Sequence, residues 1–180
     1  MKETCINKQV IYEGKIIRVE RDEIVLEDGH HSVREVVFNS GGVAVLAFTK
    51  EGQVILGKQF RYPSQQELIE IPGGKQMDDE SFLASGLREL EEETGYTSDD
   101  AFYFGSFYPT VAYASETIHL VVAKDCYYTK KHLDEGEHVE TMLLDYETAI
   151  QMVFDQKIKD GKTIVALLKY DALSKRNRTL

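Results

Sequence analysis

Glu89, Glu92 and Glu93 stand at spacings i, i+3 and i+4, so a helix over this stretch gathers three carboxylates on one face. Leu83, Leu87, Leu90 and Thr94 fall on a second, narrower stripe that can face a core. The segment GKQMDDESFLASGLRELEEETGY, Gly74 to Tyr96, therefore predicts a helix over 79–94. Asp78 or Asp79 is its expected N-cap, Glu80 lies in its first turn, and Gly95 follows its end. Like charges this close repel, and the C-terminal half of a helix disfavours anions further. Two readings follow from the residues alone: a solvated acidic face, or a site for a divalent cation. Oxygen-only ligands suit Mg²⁺, Mn²⁺ or Ca²⁺. Gly86 inside the helix costs about 1 kcal/mol against alanine, which predicts close backbone packing there.

The chain that must position this face has 180 residues, 42% of them hydrophobic and 29% charged, with net charge −10. That size suits one domain with a small appended element. The acidic balance argues against a nucleic-acid backbone as the main partner. No apolar run approaches the roughly 18 residues of a membrane span. The start, MKETCINKQV, lacks an apolar signal core, so a cytoplasmic location is expected. Cys5 and Cys126 form no zinc pattern and no disulfide framework, and both read as free thiols.

Strands are predicted at 9–19, 22–27 and 32–38, the last two joined by Asp28-Gly29 as a two-residue hairpin. This antiparallel β-meander occupies 1–40, and alone it buries too little to be stable. It is expected to pack on the rest of the chain or on another copy. Asn39-Ser40-Gly41-Gly42 breaks the pattern before a second domain, 41–180. There VAVLAFT (43–49) reads as a strand buried on both faces, followed by strands at 53–62 and 67–72 that lead into Gly73-Gly74. Beyond the acidic helix come strands at 102–109 and 116–125, a surface loop over 127–138 and a strand at 139–145. A helix capped by Asp145, a turn, a helix over 163–173 and a basic, frayed tail complete the chain. The fold class is α+β, a mixed sheet with helices on its faces. His119, inside an apolar strand, reads as a core residue. Gly161-Lys162-Thr163 has Gln156 where a phosphate loop needs its first glycine, which excludes that motif.

Gly74, Glu80 and the run Arg88-Glu89-Leu90-x-Glu92-Glu93-x-Gly95-Tyr96 together resemble the Nudix box of the Nudix hydrolases, with every fixed position filled. The resemblance implies a Nudix-type α/β/α sandwich whose loop–helix–loop holds Mg²⁺ or Mn²⁺ against a diphosphate. It makes Glu89, Glu92 and Glu93 metal ligands, with the carbonyl of Gly73 a further one. Arg88 would orient the glutamates and Glu80 would support the loop.

VREVVFNSGGVAVLAF, KQFRYP and ELIEIPGGK are similar to the ADP-ribose pyrophosphatase branch, which cleaves nucleoside diphosphate sugars. That branch exchanges its N-terminal meander across a homodimer. The similarity implies that Arg34 and Arg61 contact the substrate's diphosphate or sugars, and that Glu70 is a binding glutamate. In the loop DEGEHVE it makes Glu135 the base that activates water and Glu137 a metal ligand, or the two with roles exchanged. From the residues alone, surface arginines and an acidic solvent loop are the other readings.

Two departures stand out. The branch reads Pro-Ala-Gly where this chain has Pro72-Gly73-Gly74, and Ser-Pro-Gly where it has Thr110-Val111-Ala112. Tyr113 follows and could stack on a base. The resulting expectation is a homodimeric hydrolase that turns ADP-ribose into AMP and ribose 5-phosphate. GDP-mannose, another nucleotide sugar or a nucleoside triphosphate are the alternative substrates. A non-catalytic nucleotide-sugar sensor is the rival of another class, and such a domain need not keep its glutamates.

Overall fold

The computed structural model describes residues 2–77 and 79–176. The chain forms two compact units, Met1–Gly41 with Phe107–Thr117, and Gly42–Ser106 with Ile118–Leu180.

The first unit is an antiparallel sheet of β1 (Glu3–Glu13), β2 (Arg18–Leu26) and β3 (His31–Phe38), with β2 in the middle. Its first reversal lies at Gly14, whose N–H donates to the Ile17 carbonyl at 2.9 Å. The sequence predicts one strand through 9–19 and a break at 20–21. The true break is the glycine, which weakens a strand interior and has no side chain to pack. The second reversal is wider than the predicted two-residue hairpin. Leu26 N–H bonds the His30 carbonyl at 2.9 Å, and His30 N–H bonds the Asp28 carboxylate at 3.1 Å, an Asx-type contact that accommodates the longer loop. The segment Phe107–Thr117 joins this unit through Val37, which donates to the Tyr113 carbonyl (2.7 Å) and accepts from Ser115 N–H (3.0 Å).

The second unit is built on a mixed sheet of eight strands: β4 (Gly42–Thr49), β5 (Gln53–Arg61), β6 (Gln66–Glu70), β7 (Gly73–Gly74), β8 (Tyr96–Thr97), β9 (Asp100–Phe107), β10 (Ile118–Tyr128) and β11 (Val139–Asp145). The main path runs β11-β5-β4-β10-β8, with β6 beside β5, β7 beside β4 and β9 beside β10. β4 and β10 are parallel, while β5 is antiparallel to β4 and to β11. β4 is buried almost throughout, as its unbroken apolar run requires.

Among the described residues three α-helices accompany this sheet: α1 (Phe82–Thr94), α2 (Tyr146–Phe154) and α3 (Gly161–Ser174). Leu90 of α1 joins the core of Val43, Val45, Ile55 and Val121, with Leu83 and Leu87 packed against it. Full burial of such a leucine contributes roughly 1.5–3 kcal/mol. Gly86 allows this approach: a Cβ there would lie 3.1–3.3 Å from the methyl groups of Val45, Val121 and Val43. No helix among the described residues is long and apolar enough to cross a membrane.

Several predicted boundaries move. The N-cap of α1 is Ser81, whose hydroxyl accepts from Ala84 N–H at 3.1 Å. Asp79 has φ +71° and precedes the cap, and Asp78 lies outside the described residues. Glu80 also precedes the helix, because its carboxylate is drawn to Ser85 and Arg88. β10 continues to Tyr128, where its two tyrosines pair with β8, so the loop begins at Thr129 instead of Tyr127. Asp145 occupies the N-cap position of α2 without a side-chain capping bond. Of the predicted tail, residues 177–180 lie outside the described residues.

The Pro-Gly-Gly departure has a steric cause. A Cβ on Gly73 would come within 2.4 Å of the Val43 carbonyl oxygen and 2.9 Å of Ala44 Cα. Both are backbone atoms of a central strand and cannot step aside. Gly73→Ala is expected to destabilise the protein by about 1–3 kcal/mol, read as a lower urea midpoint; an unchanged midpoint would show that β7 sits less tightly on β4.

Candidate active site

The acidic face of α1 is held by one guanidinium. Arg88 Nη1 donates to Glu89 Oε1 at 2.9 Å and to Glu92 Oε2 at 2.8 Å. Its Nε donates to the two oxygens of Glu80 at 3.2 and 3.3 Å, and its Nη2 reaches the Lys75 carbonyl at 3.0 Å. Glu80 also accepts from the Ser85 hydroxyl at 2.6 Å, the first cause of its lowered pKa. Arg88 thus ties the segment before α1 to two of the three helix carboxylates by charge-assisted bonds.

Glu93 faces a different neighbour. Its side chain is turned to the sheet, the residue is only 8% exposed, and its Oε2 accepts from Gly73 N–H at 3.1 Å. Burial pushes its carboxyl up to about 7, with Glu89 and Glu137 adding to the rise, against the Gly73 bond and Arg61. Burial also raises Glu89, against its bond to Arg88, and Glu92 and Glu137 add to that rise. Gly74 makes room for Glu89: a Cβ there would meet the Glu89 carboxylate at 2.3–2.4 Å.

Glu137 is therefore close enough to act on both Glu89 and Glu93. Glu135 is exposed at the crest of the same loop, where Gly136 takes φ +88° and Glu137 N–H bonds the Asp134 carbonyl at 3.0 Å.

Behind Glu93 lies a second charged group. Glu70, buried, accepts from Arg61 Nε (2.7 Å) and Nη2 (2.8 Å) and from Lys162 Nζ. Burial opposes ionisation of Glu70, but the bonds from Arg61 and the charge of Lys162 outweigh it and hold its pKa low. Lys162 also pairs with Asp160 at 3.0 Å. Asp160 caps α3 through Thr163 N–H (2.9 Å), and the Thr163 hydroxyl accepts from Ile71 N–H (2.8 Å). With both Glu70 oxygens engaged, Arg61 is the member of this group that faces the Glu93 side, and a small cleft is lined by Arg61, Glu70, Glu93 and Val139. The sequence reading missed Lys162, because its partner Glu70 is 92 residues away. Its presence in a Gly-Lys-Thr run was the available signal, and the ion pairs account for that run without a phosphate.

Arg34 belongs to the first unit, where it pairs with Glu3 through Nε at 3.0 Å and Nη2 at 2.5 Å. It lines a cavity of about 710 Å³ together with Val19, Arg21, Val33, Glu35 and Tyr113. Tyr113 is exposed, not a core residue. His119 is partly buried, stacks on Phe82 at 3.5 Å between ring centroids and bonds the Tyr103 hydroxyl at 3.0 Å. Cys5 is exposed and Cys126 buried, and burial pushes the Cys126 thiol up to about 11.

Among the described residues no group of three or more His, Cys, Asp or Glu side chains is already closed around one point. The donor chemistry nevertheless fits a hard divalent ion: carboxylate oxygens only, crowded, with Glu89 and Glu93 both raised first by burial and then by neighbouring carboxylates, Glu137 among them for each. Glu89, Glu92, Glu93 and Glu137 are the side chains available to hold it.

A NUDIX domain matches residues 39–167, and a nucleoside diphosphate sugar hydrolase N-terminal domain matches residues 3–37. An ADP-ribose pyrophosphatase of Bacillus subtilis (strain 168) is 39% identical over 169 residues, 93% of this chain and 91% of that protein. A methanol dehydrogenase activator of Bacillus methanolicus is 36% identical over 170 residues, 92% of this chain and 91% of that protein. The crystal structure of an ADP compounds hydrolase superposes with TM-score 0.87 at 21% identity, covering 99% of this chain and 98% of that one, which establishes the likeness of fold.

The raised carboxyl of Glu93 has a thermodynamic consequence. Unfolded, it titrates near 4.5; folded and metal-free, at about 7. Between those values the folded chain binds more protons than the unfolded one, so stability falls as pH rises through this window. The urea midpoint of the metal-free protein is expected to drop between about pH 5 and pH 7, and Glu93→Gln should flatten that drop. Mg²⁺ added at neutral pH should restore stability by binding the folded form. A metal-free profile that rises over the same interval would refute the assignment.

Proposed function

The chain belongs to the Nudix hydrolase family, and on that premise we propose that it cleaves the diphosphate linkage of a nucleoside diphosphate sugar, ADP-ribose foremost. For ADP-ribose the products are AMP and ribose 5-phosphate. The observation that carries this reading is the excess of carboxylates: Glu80, Glu89 and Glu92 on Arg88, Glu93 on the Gly73 N–H, and Glu137 close enough for its charge to act on Glu89 and Glu93. A sensor would not need to keep such mutually repelling groups, since they raise the free energy of the folded state until a cation is bound.

Mg²⁺ or Mn²⁺ bound by these oxygens would neutralise phosphoryl charge and acidify water. The chain's own groups do the rest. Glu89, Glu92 and Glu93 supply the ligands, with the Gly73 carbonyl beside them. Arg88 fixes the rotamers of Glu89 and Glu92, and Glu80 fixes Arg88. Of the loop pair, Glu137 is the ligand, because its charge already acts on Glu89 and Glu93. Glu135, on the exposed crest, is the base, and it needs to come within about 3 Å of the water when substrate is bound. Arg61, aimed by Glu70, contacts the diphosphate. Within the first unit, the cavity lined by Arg34 and Tyr113 combines valine walls with charged side chains.

The protein is proposed to be a homodimer that uses the meander. β1 is an edge strand, exposed over its whole length, and it carries Ile6, Val10, Ile11 and Tyr12 on its surface. Such an edge is a template for pairing. Its two cysteines, unpaired, suit the cytoplasm.

A panel of ADP-ribose, GDP-mannose, UDP-glucose, diadenosine polyphosphates and nucleoside triphosphates, with Mg²⁺ and Mn²⁺, tests the reaction. ADP-ribose should show the highest kcat/KM, and no turnover of any member would leave the sensor. Glu93→Gln should abolish metal-dependent turnover, and Glu135→Gln should lower kcat by about 100-fold or more. Light scattering on the full-length protein, and after removal of residues 1–40, should give a dimer and then its loss; a full-length monomer would contradict the assembly.

A further inference from the structure

The loop that carries Glu135 and Glu137 has its two ends tied to different parts of the second unit. At its start, Thr129 N–H donates to the Gly95 carbonyl at 2.7 Å, and the Thr129 hydroxyl bonds Glu91 at 2.7 Å. His132 N–H then donates to the Glu92 carbonyl at 3.1 Å. Residues 129–132 thus satisfy carbonyls that the end of α1 leaves open. At its finish, Val139 enters β11 opposite Gln59 and packs on Gly57, where a Cβ would lie 2.7 Å from a Val139 methyl.

One side chain joins these two ends. Lys131 Nζ donates to the Val139 carbonyl and, at 3.0 Å, to the Thr141 hydroxyl. Residues 132–138 are therefore a closed loop whose mouth is fastened by an ammonium. That ammonium is partly buried, and burial lowers its pKa while the charge of Glu93 opposes the change. An ammonium in such a place costs desolvation unless acceptors meet it. An apolar side chain could fill the space but could not donate to the Val139 carbonyl and the Thr141 hydroxyl.

Resting on the hydrolase reading above, we propose that Lys131 is a positioning residue for catalysis: it fastens the mouth of the loop so that Glu135 and Glu137 are presented to the carboxylates of α1. It touches neither substrate nor reacting atoms and acts through the loop. The physical need is plain, because a catalytic group displaced by about 1 Å can lose 10²-fold in rate, and a loop of exposed residues has little packing of its own to hold it.

The test uses full-length protein as wild type, Lys131→Met, Thr141→Val, the double variant Glu135→Gln/Glu137→Gln, and the triple variant that adds Lys131→Met to it. Lys131→Met should lower kcat for ADP-ribose with Mg²⁺ by about 100-fold, with KM changed less than about threefold. Added to the double variant, it should cost less than about threefold further, because the groups it positions are already gone. Amide exchange should speed up over 132–138 in Lys131→Met, and to a lesser degree in Thr141→Val, with α1 core amides unchanged. The proposal is overturned if the Lys131→Met loss multiplies in full with the loop substitutions, if kcat is unchanged while the melting temperature falls, or if exchange over 132–138 matches wild type. Should Lys131→Met fail to fold, Thr141→Val carries the same kinetic and exchange readouts. Should wild type turn over no nucleotide, the hydrolase reading fails, and the exchange measurement still decides the clasp.

Discussion

Mutual repulsion among carboxylates is the constraint on which this structure depends. α1 presents three glutamates within one turn, and the loop after β10 brings a fourth toward them. Arg88 compensates part of that charge, and its fork reaches back to Glu80 and the Lys75 carbonyl. The same guanidinium that relieves the repulsion therefore also fixes the segment before the helix. Glu93 has no direct ion pair of this kind; it accepts from the Gly73 N–H, and the charge of Arg61 helps it at a distance. Burial first, then the charges of Glu89 and Glu137, raises its pKa toward neutrality, and a bound cation would relieve both.

The scaffold meets this constraint by bringing backbone close to backbone. β7 lies on β4 with no room for a Cβ at Gly73, and α1 lies on the sheet with little room at Gly86. Gly74 leaves the Glu89 carboxylate its place. Each glycine trades helix or strand propensity for a shorter distance between a carboxylate and its neighbours. The hydrophobic stripe of α1, with Leu90 fully buried, supplies the free energy that holds the helix down over these contacts.

How much of this was legible beforehand depended on sequence separation. The helix, its carboxylate face, its leucine stripe and the packing at Gly86 all follow from spacings of three and four, which the period of a helix makes readable. The boundaries of the meander are not legible where Gly14 sits inside an apolar run, because alternation alone does not mark where a strand turns. Asp and Ser are both good caps, so composition alone does not choose between Asp79 and Ser81; Ser81 caps the helix because Glu80 and Asp79 are used in the turn before it. Lys131 carries no signal in the sequence, and the Gly-Lys-Thr run that marks Lys162 does not reveal its partner. Their acceptors are set by strand register and by the docking of α3, neither of which has a local signal.

The docking of α3 has a consequence for how the protein comes into being. Arg61 is set by Glu70, Glu70 is shared with Lys162, and the Thr163 hydroxyl accepts from Ile71 N–H across 92 residues of chain. During synthesis from the N-terminus, every carboxylate of α1 is made well before the segment that completes the group behind Glu93. Until α3 has been made, Glu70 lacks Lys162, one of its two cations, and Ile71 N–H lacks the Thr163 hydroxyl. The nascent chain thus passes through a stage in which the residues of the acidic face are already made and part of the group behind Glu93 is not.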